Sequence, residues 1–126
     1  MNSAMFPFRS LCEAFQQRVA ADASTIALRT PDCGVEISWG EYAARVRAIA
    51  AGLAALGVRR GDSVGLMMVN RPEFALCDTA ALHLGAIPFS VYNTFAPEQI
   101  ADVFAPDTAP GVAAIRSVPR QHGDAR

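Results

Sequence analysis

The run SVGLMMV, residues 63–69, constrains the fold more tightly than any other stretch of the chain. It is short and nearly all apolar, with the turn sequence RRGD before it and Asn70-Arg71-Pro72 after it. That pattern is expected of a strand covered on both faces. A strand of this kind needs a layer on each side, and one covering layer is legible just upstream. Tyr42, Val46, Ile49, Leu53 and Leu56 recur at steps of four and three, which places them on one face of a helix. Ser38 and Glu41 have the spacing of a capping box at its start. Glu41 and Arg45 are set for an i,i+4 pair in the favourable order, worth about 0.2–0.5 kcal/mol. Gly57 sits where a left-handed C-terminal residue belongs, and Val58 can make the hydrophobic contact that follows it.

The flanking segments extend the alternation. Ser10 and Glu13 again have capping-box spacing, and Leu11, Phe15 and Val19 make one apolar helix face that ends at Asp22 to Ser24. TIALRT (25–30) and VEIS (35–38) alternate around the turn PDCG, which predicts a hairpin with Ile26, Leu28, Val35 and Ile37 on one side. After the central strand, Asn70 is the expected cap of a helix with Pro72 in its first turn and Glu73 at its third position. That helix runs to Leu84 and is stopped by Gly85. AIPFSV (86–91) is the next strand, and Pro88 within it marks an edge or an irregular start. Pro97 opens a last helix, PEQIADVF, which Pro106 must end. The order β-β-α-β-α-β-α with short connections describes an α/β layered sheet whose later strands are parallel. The chain divides into an ordered part, 8–104, and an irregular tail, 105–126, with VAAI (112–115) a weak strand inside it.

Composition removes several classes of function. Apolar residues make up 52% of the chain, too many for a largely disordered protein. The formal charge is −1, and no basic patch points to nucleic acid. All eleven Lys and Arg residues are arginine, so no ammonium side chain is present. Cys12, Cys33 and Cys77 are odd in number and widely spaced, which argues against a disulfide framework or a zinc site and for a reduced, cytoplasmic setting. The opening residues lack the pattern of a signal peptide, and VRAIAAGLAALGV (46–58) is too short to span a bilayer.

Candidate chemistry is thin. There is no GxGxxG, Walker loop or GxSxG. RRGD has anion-friendly charge, but a plain turn into a strand accounts for it. His83 could serve as a base, yet no nucleophile or carboxylate is placed beside it by sequence, and a His near the negative end of a helix has a simpler role. His122 lies in the tail and is expected in solvent. Cys77 shares a helix face with Phe74 and Ala81 and is expected to be a small core residue. Asp78 interrupts an apolar helix, and solvent exposure is the simplest account. Asn93 and Thr94 follow a strand at the end where α/β folds place ligands, although turn formation explains them too.

The order of motifs resembles the N-terminal region of adenylate-forming enzymes, the acyl-CoA synthetase and luciferase superfamily. The similarity is carried by Trp39 to Tyr42, by GLAALGVRRGD (52–62), by NRPEF (70–74) and by LGAIPFSVYN (84–93). FQQRVAADASTIALRT resembles the opening helix and strand, and VYNTFAPEQI is most like the fatty-acid–CoA ligase branch. Relatives often carry Ser or Thr where this chain has Ala96, a loss of capping worth about 1 kcal/mol.

The resemblance implies the N-terminal part of the large domain, with a mixed or parallel sheet and flanking helices. It also implies ATP-dependent activation of a carboxylate to an acyl-adenylate, followed by transfer to coenzyme A, with magnesium present. Family members use a Ser/Thr/Gly-rich phosphate loop, an acidic residue for the ribose and a Lys in a mobile domain, and none of these maps onto this sequence. Accordingly no residue is assigned as catalytic, cofactor-binding or metal-ligating, and no ATP, magnesium or coenzyme A is expected on this chain alone. The separately encoded remainder of a ligase is the expected partner. A non-enzymatic α/β interaction module and a decayed remnant stand as alternatives.

Overall fold

The computed structural model describes residues 7–92, 94–103 and 112–116. Helix α1 (Leu11–Asp22) leads to a hairpin of β1 (Ile26–Arg29) and β2 (Glu36–Ser38). Helix α2 (Trp39–Ala55), strand β3 (Ser63–Met67), helix α3 (Pro72–His83) and strand β4 (Ile87–Ser90) follow, then α4 (Pro97–Val103) and β5 (Val112–Arg116). This is an α/β fold, with β3 between β4 and β5 in a three-stranded sheet, parallel to both. The hairpin does not join that sheet. It is a separate antiparallel pair, with Leu28 opposite Ile37 and a register shift next to Ile26. Strand β5 falls where the short apolar run VAAI predicts it, one residue longer.

The helix starts follow local chemistry. Ser10 Oγ accepts the Glu13 amide (3.1 Å), and Glu13 reaches back to the Arg9 amide (2.6 Å). Ser38 Oγ accepts the Glu41 amide (3.2 Å), and Glu41 pairs with Arg45 (2.9 Å). Ala96 has no capping oxygen, but its own amide donates to Gln99 Oε1 (2.8 Å), which supplies the second half of a capping box. Helix α3 departs from expectation. Its N-cap is Arg71, not Asn70, and no side chain caps it. Pro72 occupies the first helical position and holds the residue before it extended, so Arg71 takes the cap conformation whatever its side chain.

The helix ends are equally local. Gly57 (φ 99°) follows α2, and the Val58 amide bonds back to Leu53 O (3.1 Å), burying Val58. Gly85 (φ 70°) follows α3, and the Ala86 amide bonds to Ala81 O (3.1 Å) in the same way. An added Cβ at Gly85 would sit 3.0 Å from Arg60 Cγ, so both space and backbone favour glycine there.

The core has two joined parts. Val64 (0% exposed) and Leu66 (1%) of β3 pack with Leu53, Val58, Cys77, Ala81 and Ala86. Ile37 of the hairpin packs with Tyr42, Val46, Leu76 and Ala80, and Ile49 touches both groups. The α2–α3 pair therefore contacts the parallel sheet and the hairpin at once. Gly65, on the other face of β3, is also buried.

Several positions expected to be covered are exposed, Ile26 (37%) and Val69 (58%) among them. Leu56 is 82% exposed because α2 ends at Ala55, so Leu56 is a cap residue and does not extend the stripe. Leu11 is 65% exposed, since α1 lies on the surface and buries no residue fully. Val35 is exposed just before β2 begins. Among the described residues no helix is long and apolar enough to cross a membrane.

Leu66→Ala is expected to destabilise the fold by about 2–5 kcal/mol, because a fully buried side chain leaves a cavity. Leu56→Ser is expected to stay within about 0.5 kcal/mol. Chemical denaturation of both variants checks the pair, and equal losses would contradict this core.

Candidate functional site

Ligands of α/β folds bind beyond the carboxyl ends of parallel strands. Here that region holds a hollow of about 240 Å³ lined by Met68, Asn70, Phe74, Ser90, Val91 and Tyr92. Strand β3 ends at Met67, two residues short of the run that predicts it, which leaves Met68 at the mouth. The Val91 amide bonds to Leu66 O (2.9 Å) and fixes the turn out of β4. Tyr92 is exposed and lies edge-on to Phe95, with centroids 5.4 Å apart. Of the polar pair expected at this end, Thr94 is exposed and Asn93 lies outside the described residues. Sequence reasoning missed Asn70 and Ser90 here. The signal available was their position just beyond one strand and at the end of the other. The wall is mainly apolar and carries no charged side chain.

A second hollow, about 360 Å³, lies between the hairpin and the start of α3, lined in part by Arg29, Thr30, Asn70 and Arg71. Two arginines beside a helix N-terminus suggest an anion. Both are already engaged, Arg29 with Glu36 (3.0 Å) and Arg71 with Glu73 (2.8 Å), and the hydrogen bond and charge of Glu73 hold the Arg71 guanidinium more firmly protonated.

His83 ends α3, as its place in the sequence suggests. Its Nδ1 lies 2.8 Å from Thr79 O, a pure acceptor, so Nδ1 carries the proton. Nε2 then accepts from the Gln16 amide of α1 (3.1 Å), and the Phe15 ring stands edge-on to the imidazole. Both ring nitrogens are spent on tying α1 to α3. Cys12 shares a hollow of about 180 Å³ with His83, but burial pushes its thiol pKa up, away from the nucleophilic thiolate.

The remaining candidates resolve as follows. Cys77 is buried beside Phe74 and Ala81 as expected, and burial, reinforced by the Glu73 charge, raises its thiol pKa. Asp78 is half-buried instead of free in solvent, and desolvation raises its carboxyl pKa. RRGD is a turn: Asp62 accepts the Arg59 amide (2.7 Å) and Gly61 has φ 86°. His122 lies outside the described residues.

The most developed polar–aromatic feature is structural. Tyr42 stacks on Trp39 (5.9 Å, 6° between planes) and meets Phe15 edge-on at 4.8 Å. Its hydroxyl donates to Ala75 O (3.2 Å) and shares a 2.6 Å bond with Thr79 Oγ1, locking α2 to α3. Among the described residues no cluster of His, Cys, Asp and Glu could hold a metal ion. The sequence has no glycine-rich phosphate-loop motif and no lysine, so the described residues do not fit ATP or magnesium.

Comparisons with known proteins agree on one lineage. The family model described as AMP-binding enzyme matches residues 15–116. Uncharacterized protein Rv1549 of Mycobacterium tuberculosis is 55% identical over 95 residues, 75% of this chain and 54% of that one. Long-chain-fatty-acid–CoA ligase FadD15 of Mycobacterium bovis is 38% identical over 65 residues, 52% of this chain and 11% of the ligase. The chain thus spans about half the length of the first relative and a small part of the second. Among solved structures, the N-terminal domain of FACL13 from Mycobacterium tuberculosis shares the fold, with a TM-score of 0.74 at 23% identity, covering 85% of this chain and 27% of that one.

Burial raises the Tyr42 pKa, its bond with Thr79 opposes the rise, and the Asp78 charge adds to it. A pKa higher in the folded state than in the unfolded state leaves the neutral phenol's contribution whole below about pH 10. That contribution is lost as pH climbs from there through the folded value. Tyr42→Phe is expected to cost about 1 kcal/mol at pH 7 and to remove part of the alkaline loss. Denaturation curves at pH 7 and above pH 10 check both effects, and an unchanged alkaline limb would contradict them.

Proposed function

The chain belongs to the AMP-binding enzyme family, and from that premise we propose that it supplies the N-terminal flank of a fatty-acid–CoA ligase and none of the chemistry. In this reading it is inactive alone and works in the cytoplasm with a polypeptide that carries the rest of the fold. The observation that carries the proposal is a pairing: a family match across most of the chain, and a sequence with neither a glycine-rich phosphate-loop motif nor a lysine. Carboxylate activation needs cationic groups or a metal where negative charge develops on phosphate. Arg29 and Arg71, at the hollow between the hairpin and α3, are already paired with glutamates. The similarity to FadD15 supports a fatty acid as the substrate of the assembled ligase.

A second reading is an α/β module that binds a partner without any reaction. It is favoured by internal completeness: among the described residues every buried side-chain nitrogen and oxygen has a hydrogen-bond partner. Satisfied buried polar groups are one requirement of a domain that folds by itself.

Co-expression separates the two. The chain is expressed with the part of FadD15 that follows its matched segment, and ATP-dependent acyl-CoA formation is measured. The proposal predicts activity above that of the ligase part alone. Association without any gain in activity would contradict it and favour the binding module.

A further inference from the structure

The two open sides of the three-stranded sheet are unequal as templates for another strand. In β4 the Ile87 amide bonds to Asp62 O (2.7 Å) and the amide of Val91, just beyond the strand, bonds to Leu66 O (2.9 Å). Backbone groups alternate sides along a strand. The odd-numbered residues of β4 therefore face β3, while Pro88 and Ser90 face the open side. Proline has no N–H. The outer side of β4 is left with a single donor, the Ser90 amide, and a proline so placed is one way edge strands resist pairing.

Strand β5 differs. Strand β3 presents its even-numbered backbone groups to β4, so those of Ser63, Gly65 and Met67 turn towards β5. Their partners in the parallel register are Val112, Ala114 and Arg116. In a parallel ladder, a residue bonds to the two neighbours of its partner, so Ala113 and Ile115 face β3. The N–H and C=O groups of Val112, Ala114 and Arg116 remain on the outer side. That edge offers three donors and three acceptors, contains no proline, and pairs with no other strand among the described residues.

We infer that the β5 edge is where a strand from the rest of the AMP-binding fold joins this chain, and that the β4 edge is closed to such pairing. The inference rests on the assembly put forward above. The occupant follows from coverage. The chain corresponds to 27% of the FACL13 domain, so most of that domain lies outside the matched part and must pack on surfaces of this kind. The family match itself runs to Arg116, the last residue of β5. Strand addition draws its affinity from main-chain bonds, which the β5 edge can supply and the β4 edge largely cannot.

The test mixes the full chain with the same FadD15 polypeptide and reads amide hydrogen exchange residue by residue. Val112, Ala114 and Arg116 are expected to slow by at least about tenfold on complex formation, with Ser90 unchanged. Ala114→Pro removes an outward N–H and spares the bonds to β3. It is expected to weaken the complex by at least about tenfold. Ser90→Pro makes the same change on β4 and is expected to alter affinity less than about twofold. Should Ala114→Pro lower the melting point of the isolated chain, the exchange pattern of the unsubstituted chain decides. Protection at Ser90 in place of β5, or full affinity with Ala114→Pro in an otherwise intact chain, overturns the edge assignment. Protection of β5 that rises with the concentration of this chain alone assigns the edge to a second copy and overturns the partner named here. Absence of any complex overturns the assembly reading, and the edge assignment with it.

Discussion

Everything in this fold depends on the burial of Val64 and Leu66 beneath the α2–α3 pair. Neighbouring alanines on α3 make the arrangement possible. Ala81 packs into the group around β3, while Ala80 packs into the group around Ile37 of the hairpin. Successive helical residues point about 100° apart, so only a helix enclosed on two sides buries both. Small side chains there let α2 and the strands approach closely. The interior that results is apolar: among the described residues no polar or charged residue is fully buried.

That apolar interior also limits what the chain can do. Reaction centres in α/β folds are assembled from polar groups held at strand ends against low-dielectric walls. Here the strand-end hollow has the apolar wall and two neutral polar residues, Asn70 and Ser90. No carboxylate, arginine or histidine lines it, and several of those groups are occupied with local structure elsewhere. Asp62 closes a turn, Glu13 completes a cap, Glu41 pairs along its own helix, and His83 ties α1 to α3. Membership of the AMP-binding enzyme family and a sequence without a phosphate-loop motif or a lysine are compatible if the chain is one wall of a larger site.

Much of the architecture was legible because it is set by neighbours in sequence. The Ser10 and Ser38 caps, the glycine stops at 57 and 85, and the strand character of β3 each follow from a few adjacent residues. The positions that escaped were decided either by a competing signal from an adjacent residue or by distant partners. Leu56 continues a helical stripe in the sequence, but the stop at Gly57 turns it away from the core. The hairpin looks like part of the main sheet, yet its place is set by contact with α2 and α3. Asn70 is the better capping residue, but the stiffness of Pro72 moved the cap to Arg71. For the site, the sequence placed Cys77 in the core and RRGD in a turn, and the fold has them there. The engagement of His83 by Gln16, 67 positions away, could not be read from either residue alone.

Adenylate formation has its own signature, the exchange of labelled pyrophosphate into ATP in the presence of a carboxylic acid. Measuring that exchange on the purified 126-residue chain, with magnesium and a series of fatty acids, is the most direct trial of a flank without chemistry. The account predicts label incorporation no faster than in a protein-free mixture. Incorporation that increases in proportion to the concentration of this chain would contradict it.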